Sequence, residues 1–230
     1  NSLQISYGSA AQETSSMLTL PYVDFLQLLT KFDANGKPGK KKREIVSYIE
    51  NHMMKGNLTI KKEMIPLIRY CPDDIQKEIP LYVASSIITE LSPIRLLFQS
   101  DINFKTLIIE EPEAHLHPEL QQKMSRLIIN LVNMGIPVWI TTHSETILQH
   151  MNNMLKLKNH ENVSELMAEY GCGKKDLLDG RDVSMYQFVP CENGKTRLEA
   201  LERTQYGFVV PTLNDALEKI LREVYAFQED

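Results

Sequence analysis

Apolar residues recur at helical spacing early in the chain. Over residues 20–32, Val23, Leu26 and Leu29 mark one face, and Phe25, Leu28 and Phe32 widen it. Gly36-Lys37-Pro38-Gly39 then breaks the pattern and predicts a loop. A second stripe, Ile45, Ile49 and Met53, follows the basic run Lys40-Lys41-Lys42-Arg43, and Gly56 stands where that helix should stop. Residues 57–61 predict a short strand, and up to about residue 78 only short alternating elements follow, as in an arm or inserted lobe. A helix starting near Ser85 is expected to end or kink at Ser92, because Pro93 follows, with residues 93–99 able to restart it. Thr106-Leu107-Ile108-Ile109 reads as a continuous apolar strand of the buried, parallel type. Residues 118–132 predict a helix with Leu120, Met124, Leu127, Ile128 and Leu131 on one side. After Gly135, residues 137–141 predict a second buried strand, and residues 145–154 another helix.

Strand, helix, strand, helix is the signature of a parallel α/β unit. Ligands of such sheets sit at the carboxyl ends of the strands, which is where Glu110, Glu111 and His143 fall. Farther on, residues 183–189 and 196–201 flank Asn193-Gly194, a two-residue hairpin signal. An amphipathic helix over residues 213–225 runs through Leu217, Ile220, Leu221 and Val224. Neither an internal repeat nor a low-complexity tract is present.

Composition adds bounds rather than direction. With 230 residues, 43% of them hydrophobic and 24% charged, the chain has the make-up of an ordinary globular protein. Residues 1–7 do not form a basic-then-apolar signal and no apolar run is long enough to span a bilayer, so a cytoplasmic location without membrane association is expected. Cys71, Cys172 and Cys191 are too few and too widely spaced for a disulfide framework or a metal knuckle, and are expected to be reduced. A net charge of -5 argues against a surface coated for nucleic acid, although a local patch remains compatible with it. A first residue other than Met points to a fragment, a processed product or a missing start.

The chemistry is concentrated in one stretch. Leu107-Ile108-Ile109 delivers Glu110-Glu111-Pro112-Glu113-Ala114-His115-Leu116-His117-Pro118 at its end. Two adjacent acids at the end of an apolar strand suit a nucleotide hydrolase, one holding the water shell of Mg²⁺ and the next polarising the attacking water. The next strand ends in Thr142-His143-Ser144, whose imidazole could touch a γ-phosphate or orient that water. The rival reading of two such acids is a solvated strand end. Another is a metal cluster of His115 and His117 with Glu111 and Glu113, although a zinc site would want a further ligand from a fixed element.

Residues 107–118 resemble the extended Walker B segment of ABC-type ATPase heads in the OLD and RecF-like group, and Thr141-Thr142-His143-Ser144 resembles their switch-histidine loop. The resemblance implies Glu110 as the Mg²⁺-associated acid, Glu111 as the catalytic base and His143 as the γ-phosphate sensor. Many such heads have Asp at the first acidic position, so Glu110 reaches one methylene farther. The segment from Pro80 to Leu91 is similar to the group's signature, in which a serine pair, here Ser85 and Ser86, opens a helix. Free amides and the positive dipole end would there face a phosphate held by the other subunit. The group usually has Gly after the serines and this chain has Ile87, which would crowd that approach. A plain Ser N-cap is the alternative.

The phosphate-gripping GxxxxGK[ST] loop is missing. Gly39-Lys40 and Gly173-Lys174 lack a following Ser or Thr. Gly194-Lys195-Thr196 has Val189 where the first Gly belongs and sits between strands. Since that loop precedes the signature in ABC heads, a chain that begins after it is expected.

The resemblance thus implies an α/β fold, an incomplete parallel-sheet P-loop NTPase-like (ABC ATPase) core with a helical arm or lobe and a C-terminal hairpin plus helix. Residues 1–79 would form the arm, 80–155 the core and 156–230 the hairpin and helix region. It further implies ATP and Mg²⁺ as cofactors, a homodimer or higher oligomer through the heads, and DNA repair or antiviral defence through an effector protein or DNA. A non-hydrolysing dimerisation module is the alternative, and a DNA contact by the Lys40–Arg43 run, otherwise a solvated loop, is a third reading. An incomplete head should also expose sheet edge and apolar surface. No Toprim-like nuclease signature follows His143.

Overall fold

The computed structural model describes residues 37–61, 67–75, 77–191, 194–205 and 207–228. The expected helix over residues 20–32 lies outside them. The chain divides into two compact units between Asn103 and Phe104.

In the first unit, α1 (Lys40–Tyr48) continues as a π-helical segment (Ile49–Met54) and is stopped by Lys55 in the left-handed region at φ 54°. The predicted stripe holds: Ile45, Ile49 and Met53 are all buried. The basic run is not the solvated loop expected. It forms the first turn of α1, and Lys42 donates through Nζ to the carbonyl oxygens of Ser100 (3.1 Å) and Ile102 (2.7 Å). Strand β1 (Gly56–Lys61) pairs antiparallel with β2 (Leu67–Pro72), which pairs with β3 (Ile79–Pro80). Gly56 admits no side chain, because a Cβ would lie 2.4 Å from the Cys71 carbonyl oxygen.

Helix α2 (Ser86–Gln99) continues through Pro93, so it does not end at Ser92. Proline costs the helix one backbone donor and crowds the carbonyl four residues back. The turn is kept by packing of Leu91, Leu96 and Phe98, and Ser92 returns its hydroxyl to the Ile88 carbonyl at 2.5 Å. Arg95 on α2 clamps the π segment, donating from Nε (2.9 Å) and Nη2 (2.6 Å) to Glu50 Oε1.

In the second unit, β4 (Leu107–Glu110) pairs parallel with β5 (Val138–Thr141), joined by α3 (Pro118–Asn133). The α/β unit is therefore present, but its strands are not buried on both faces as expected. Ile108 and Trp139 lie directly opposite each other, and each is 69% exposed. Their neighbours Leu107, Ile109, Val138 and Ile140 are half-buried on the other face, where α3 meets β5. A continuous apolar run does not say how many faces are covered, and among the described residues one is.

Helix α3 starts with Pro118 at its first turn, where a missing N–H costs nothing. It packs on α4 (Glu145–Lys158), and Met124, Leu127, Ile128 and Leu131 of α3 and Ile147, Met151 and Met154 of α4 are buried. Ser144 caps α4, its hydroxyl accepting from the Ile147 N–H at 3.1 Å. Buried in the same layer, His150 Nδ1 lies 3.1 Å from Ser125 Oγ. Desolvation, and secondarily Arg126, pushes the His150 imidazole down from 6.5 to about 4, with Asp176 opposing. As pH falls through 6.5 the unfolded chain takes up a proton that the folded state refuses until about 4, so the stability this group confers is lost across that window. A loss on the order of 3 kcal/mol is expected. Urea unfolding at pH 7 and pH 4.5 checks it, and His150→Gln should show a flatter dependence on pH.

After α5 (Val163–Glu169) come two short 3₁₀ turns and a hairpin, β6 (Met185–Pro190) with β7 (Thr196–Leu201). Asn193 of the expected Asn193-Gly194 turn lies outside the described residues. Cys191 donates to the Lys195 carbonyl at 2.8 Å and Gly194 to the Cys191 carbonyl at 3.0 Å, with Gly194 left-handed at φ 74°. The short pair β8 (Arg203–Thr204) and β9 (Gly207–Phe208) is held to α4 by Asn152, whose amide exchanges hydrogen bonds of 2.8 and 2.9 Å with the Phe208 backbone. Helix α6 (Pro211–Ala226) ends the description. Its predicted stripe is not core: Leu217, Ile220, Leu221 and Val224 are 42–55% exposed. Among the described residues no helix is long and apolar enough to cross a membrane.

Candidate functional site

The parallel register sets Glu110 opposite Thr141, so both strands end at the same level. Glu110, the last residue of β4, is exposed on the face that carries Ile108. At Glu111 the chain turns away. Its backbone is left-handed at φ 46°, an uncommon conformation for a residue with a side chain, and its N–H donates to the Thr141 carbonyl at 2.9 Å. That bond ties the turn after β4 to the end of β5. Pro112 and Leu116 anchor the turn by burial, while Ala114 N–H returns to the Glu111 carbonyl at 2.8 Å and Leu116 N–H to the Glu113 carbonyl at 2.9 Å. His115 is the second left-handed residue, at φ 59°.

The loop after β5 is held from three sides. Glu113 Oε1 accepts the His143 backbone N–H at 2.6 Å. Thr142 Oγ1 accepts the Ser144 N–H at 3.0 Å, and the Ser144 hydroxyl donates to Gln121 Oε1 at 2.6 Å. Gln121 Nε2 in turn donates to the Leu116 carbonyl at 2.9 Å, which carries the connection back to the acidic turn. The His143 side chain is exposed. Glu110, Glu111 and His143 thus come from adjacent strand ends linked by side-chain and backbone hydrogen bonds. Ser85 and Ser86 belong to the first unit, where Ser85 precedes α2 in extended conformation at φ -63° and ψ 157° without a side-chain capping bond; both serines are exposed, and Ile87 beside them is half-buried. Ser85 thus holds the N-cap position of α2 but lends it no side-chain hydrogen bond.

Glu113 and Gln121 are the residues that motif reading passed over. Glu113 stood only among the members of a metal cluster, and no three His, Cys, Asp or Glu side chains among the described residues come together to hold a metal ion. The one available signal was the spacing that puts Glu113 two residues beyond Glu111 in a proline turn. Its partner is thirty positions away and depends on strand register.

A family model described as an AAA ATPase domain matches residues 22–148, more than half of the chain. The chain belongs to the AAA ATPase domain family. Its fold is accordingly α/β and P-loop NTPase-like, and ATP with Mg²⁺ is the ligand this ATPase family implies. No curated protein matches the chain. A chain solved in work on the ATP-driven dimerization and DNA-stimulated activation of SMC ATPases is similar along 87% of this chain and 97% of its own, at 12% identity and a TM-score of 0.48.

The donor set of this AAA ATPase domain fits one side of that ligand. Mg²⁺ keeps most of its waters and takes one or two carboxylates, so an exposed Glu110 beside Glu111 meets its needs without a cage of protein ligands. An exposed imidazole at the adjoining strand end suits a phosphate oxygen or a water. The sequence holds no GxxxxGK[ST] cradle for the other side.

Proposed function

We propose that this AAA ATPase domain is the hydrolytic side of an ABC-type head of the OLD and RecF-like group. The parallel pairing of β4 with β5 carries the reading, since it places the double acid and the Thr142-His143-Ser144 loop at one level and links them through Glu113. Glu110 would hold the metal, Glu111 would take a proton from the attacking water, and His143 would contact the γ-phosphate. ATP with bound Mg²⁺ supplies the electrophilic phosphorus when present. Ser85 and Ser86 offer a helix start to a nucleotide on a second copy, in a head-to-tail homodimer or higher oligomer. The conformational cycle so driven serves DNA repair or defence against foreign DNA, through an effector protein or DNA, in the cytoplasm.

Glu110→Gln keeps the side-chain length and removes the charge. The Mg²⁺ concentration for half-maximal ATP turnover should rise by about 10–100-fold in this variant, as for other outer contacts to a metal. An unchanged Mg²⁺ requirement would take Glu110 out of its role.

Half-buried Ile87, following the serine pair, supports a second reading in which two heads associate without hydrolysis. Association that persists in the joint absence of Glu111 and His143 side-chain function favours it, and loss of association counts against it.

A further inference from the structure

The acidic turn carries a third carboxylate, and its use is on the far strand. Glu113 Oε1 accepts the His143 backbone N–H at 2.6 Å, within the short range of charge-assisted hydrogen bonds. Glu113 Oε2 is buried without a hydrogen-bond partner. A buried carboxylate oxygen with no donor is costly, so packing alone does not favour this placement. Apolar contact would be served better by an uncharged side chain of the same size.

We propose that Glu113 is a positioning residue for His143, locking the acidic turn and the imidazole-bearing loop into one rigid piece. Its consequence for turnover rests on the ATPase reading above; its geometry does not. The His143 side chain is exposed, so its place depends largely on its backbone. That backbone is bracketed by Glu113 at the His143 amide and by Thr142 and Gln121 at Ser144. A reacting group displaced by about 1 Å loses on the order of a hundredfold in rate. Glu111 and His143 sit on different strand ends, and the Glu113 bond keeps their separation fixed when either loop is pulled.

The test is spectroscopic. The chain has six histidines, so histidine-selective ¹⁵N labelling gives a spectrum simple enough to follow each amide. The His143 peak is identified by its loss in His143→Ala. In Glu113→Ala the His143 amide should exchange with solvent at least about tenfold faster than in the unmodified chain, the measure of one lost charge-assisted bond. The amide of His150, buried within α4, should stay protected and report an intact fold. Glu113→Gln still offers an oxygen and should restore most of the protection, with the His143 amide proton moved upfield because the acceptor is now neutral.

Unchanged His143 exchange in a folded Glu113→Ala overturns the proposal. Should Glu113→Ala also lose His150 protection, Glu113→Gln decides, and an unmoved His143 resonance there overturns it. ATP turnover of the same variants separates the two levels. A lower kcat at unchanged KM, together with the exchange effect, supports positioning for hydrolysis. An exchange effect with unaltered turnover upholds the clamp and contradicts its role in hydrolysis, whereas an unmodified chain without turnover contradicts the ATPase reading instead.

Discussion

Glu111→Gln is expected to bind ATP as the unmodified protein does and to hydrolyse it about 10²–10⁴-fold more slowly, the usual contribution of a general base. Glutamine keeps the length, the hydrogen-bonding reach and the left-handed backbone at φ 46°, so the turn and its bond to Thr141 should persist. Only the proton acceptor goes. This substitution is a cleaner probe than glycine or alanine. Glycine would relax the left-handed backbone as well as remove the base, and alanine would keep that backbone while losing the reach. Nucleotide binding by fluorescence and phosphate release on the same preparation separate the two properties. Hydrolysis at the ordinary rate would show that another group takes the proton.

Leu127→Ala is expected to cost about 2–5 kcal/mol of folding stability. Leu127 is fully buried on α3, the helix that joins β4 to β5 and packs on α4. The loss combines the transfer of the missing atoms with a cavity that two packed helices close only in part. The midpoint of urea unfolding should fall without a change in slope. A variant as stable as the parent would mean that the α3–α4 layer is far looser than its burial implies.

The local elements around the candidate site were legible because they are written contiguously. A short apolar strand, two acids, a proline turn and a helix starting at Pro118 occupy neighbouring positions, and the elements found there match the pattern of their side chains. The second strand and the capped helix after Thr142-His143-Ser144 were equally plain. What could not be read depends on partners distant in sequence. Glu113 and Gln121 acquire their roles only once β4 and β5 are set in register, thirty residues apart.

Coverage of faces is likewise a tertiary property. Ile108 in an apolar run looks buried from sequence, yet it stands exposed beside Trp139, and the stripe of α6 has the periodicity of a core helix without the burial. Pro93 was expected to end or kink α2 on local grounds, and the helix does not end there, its flanking residues being buried.

The central claim is that Glu111 and His143 act as one hydrolytic unit at adjoining strand ends. A double-mutant cycle on ATP turnover, with Glu111→Gln, His143→Ala and both together in the full-length polypeptide, measures this most directly. Groups that act as a unit are non-additive, so the double variant should be little slower than the slower single variant. Losses that simply multiply, or a His143→Ala variant with ordinary turnover, would contradict the claim.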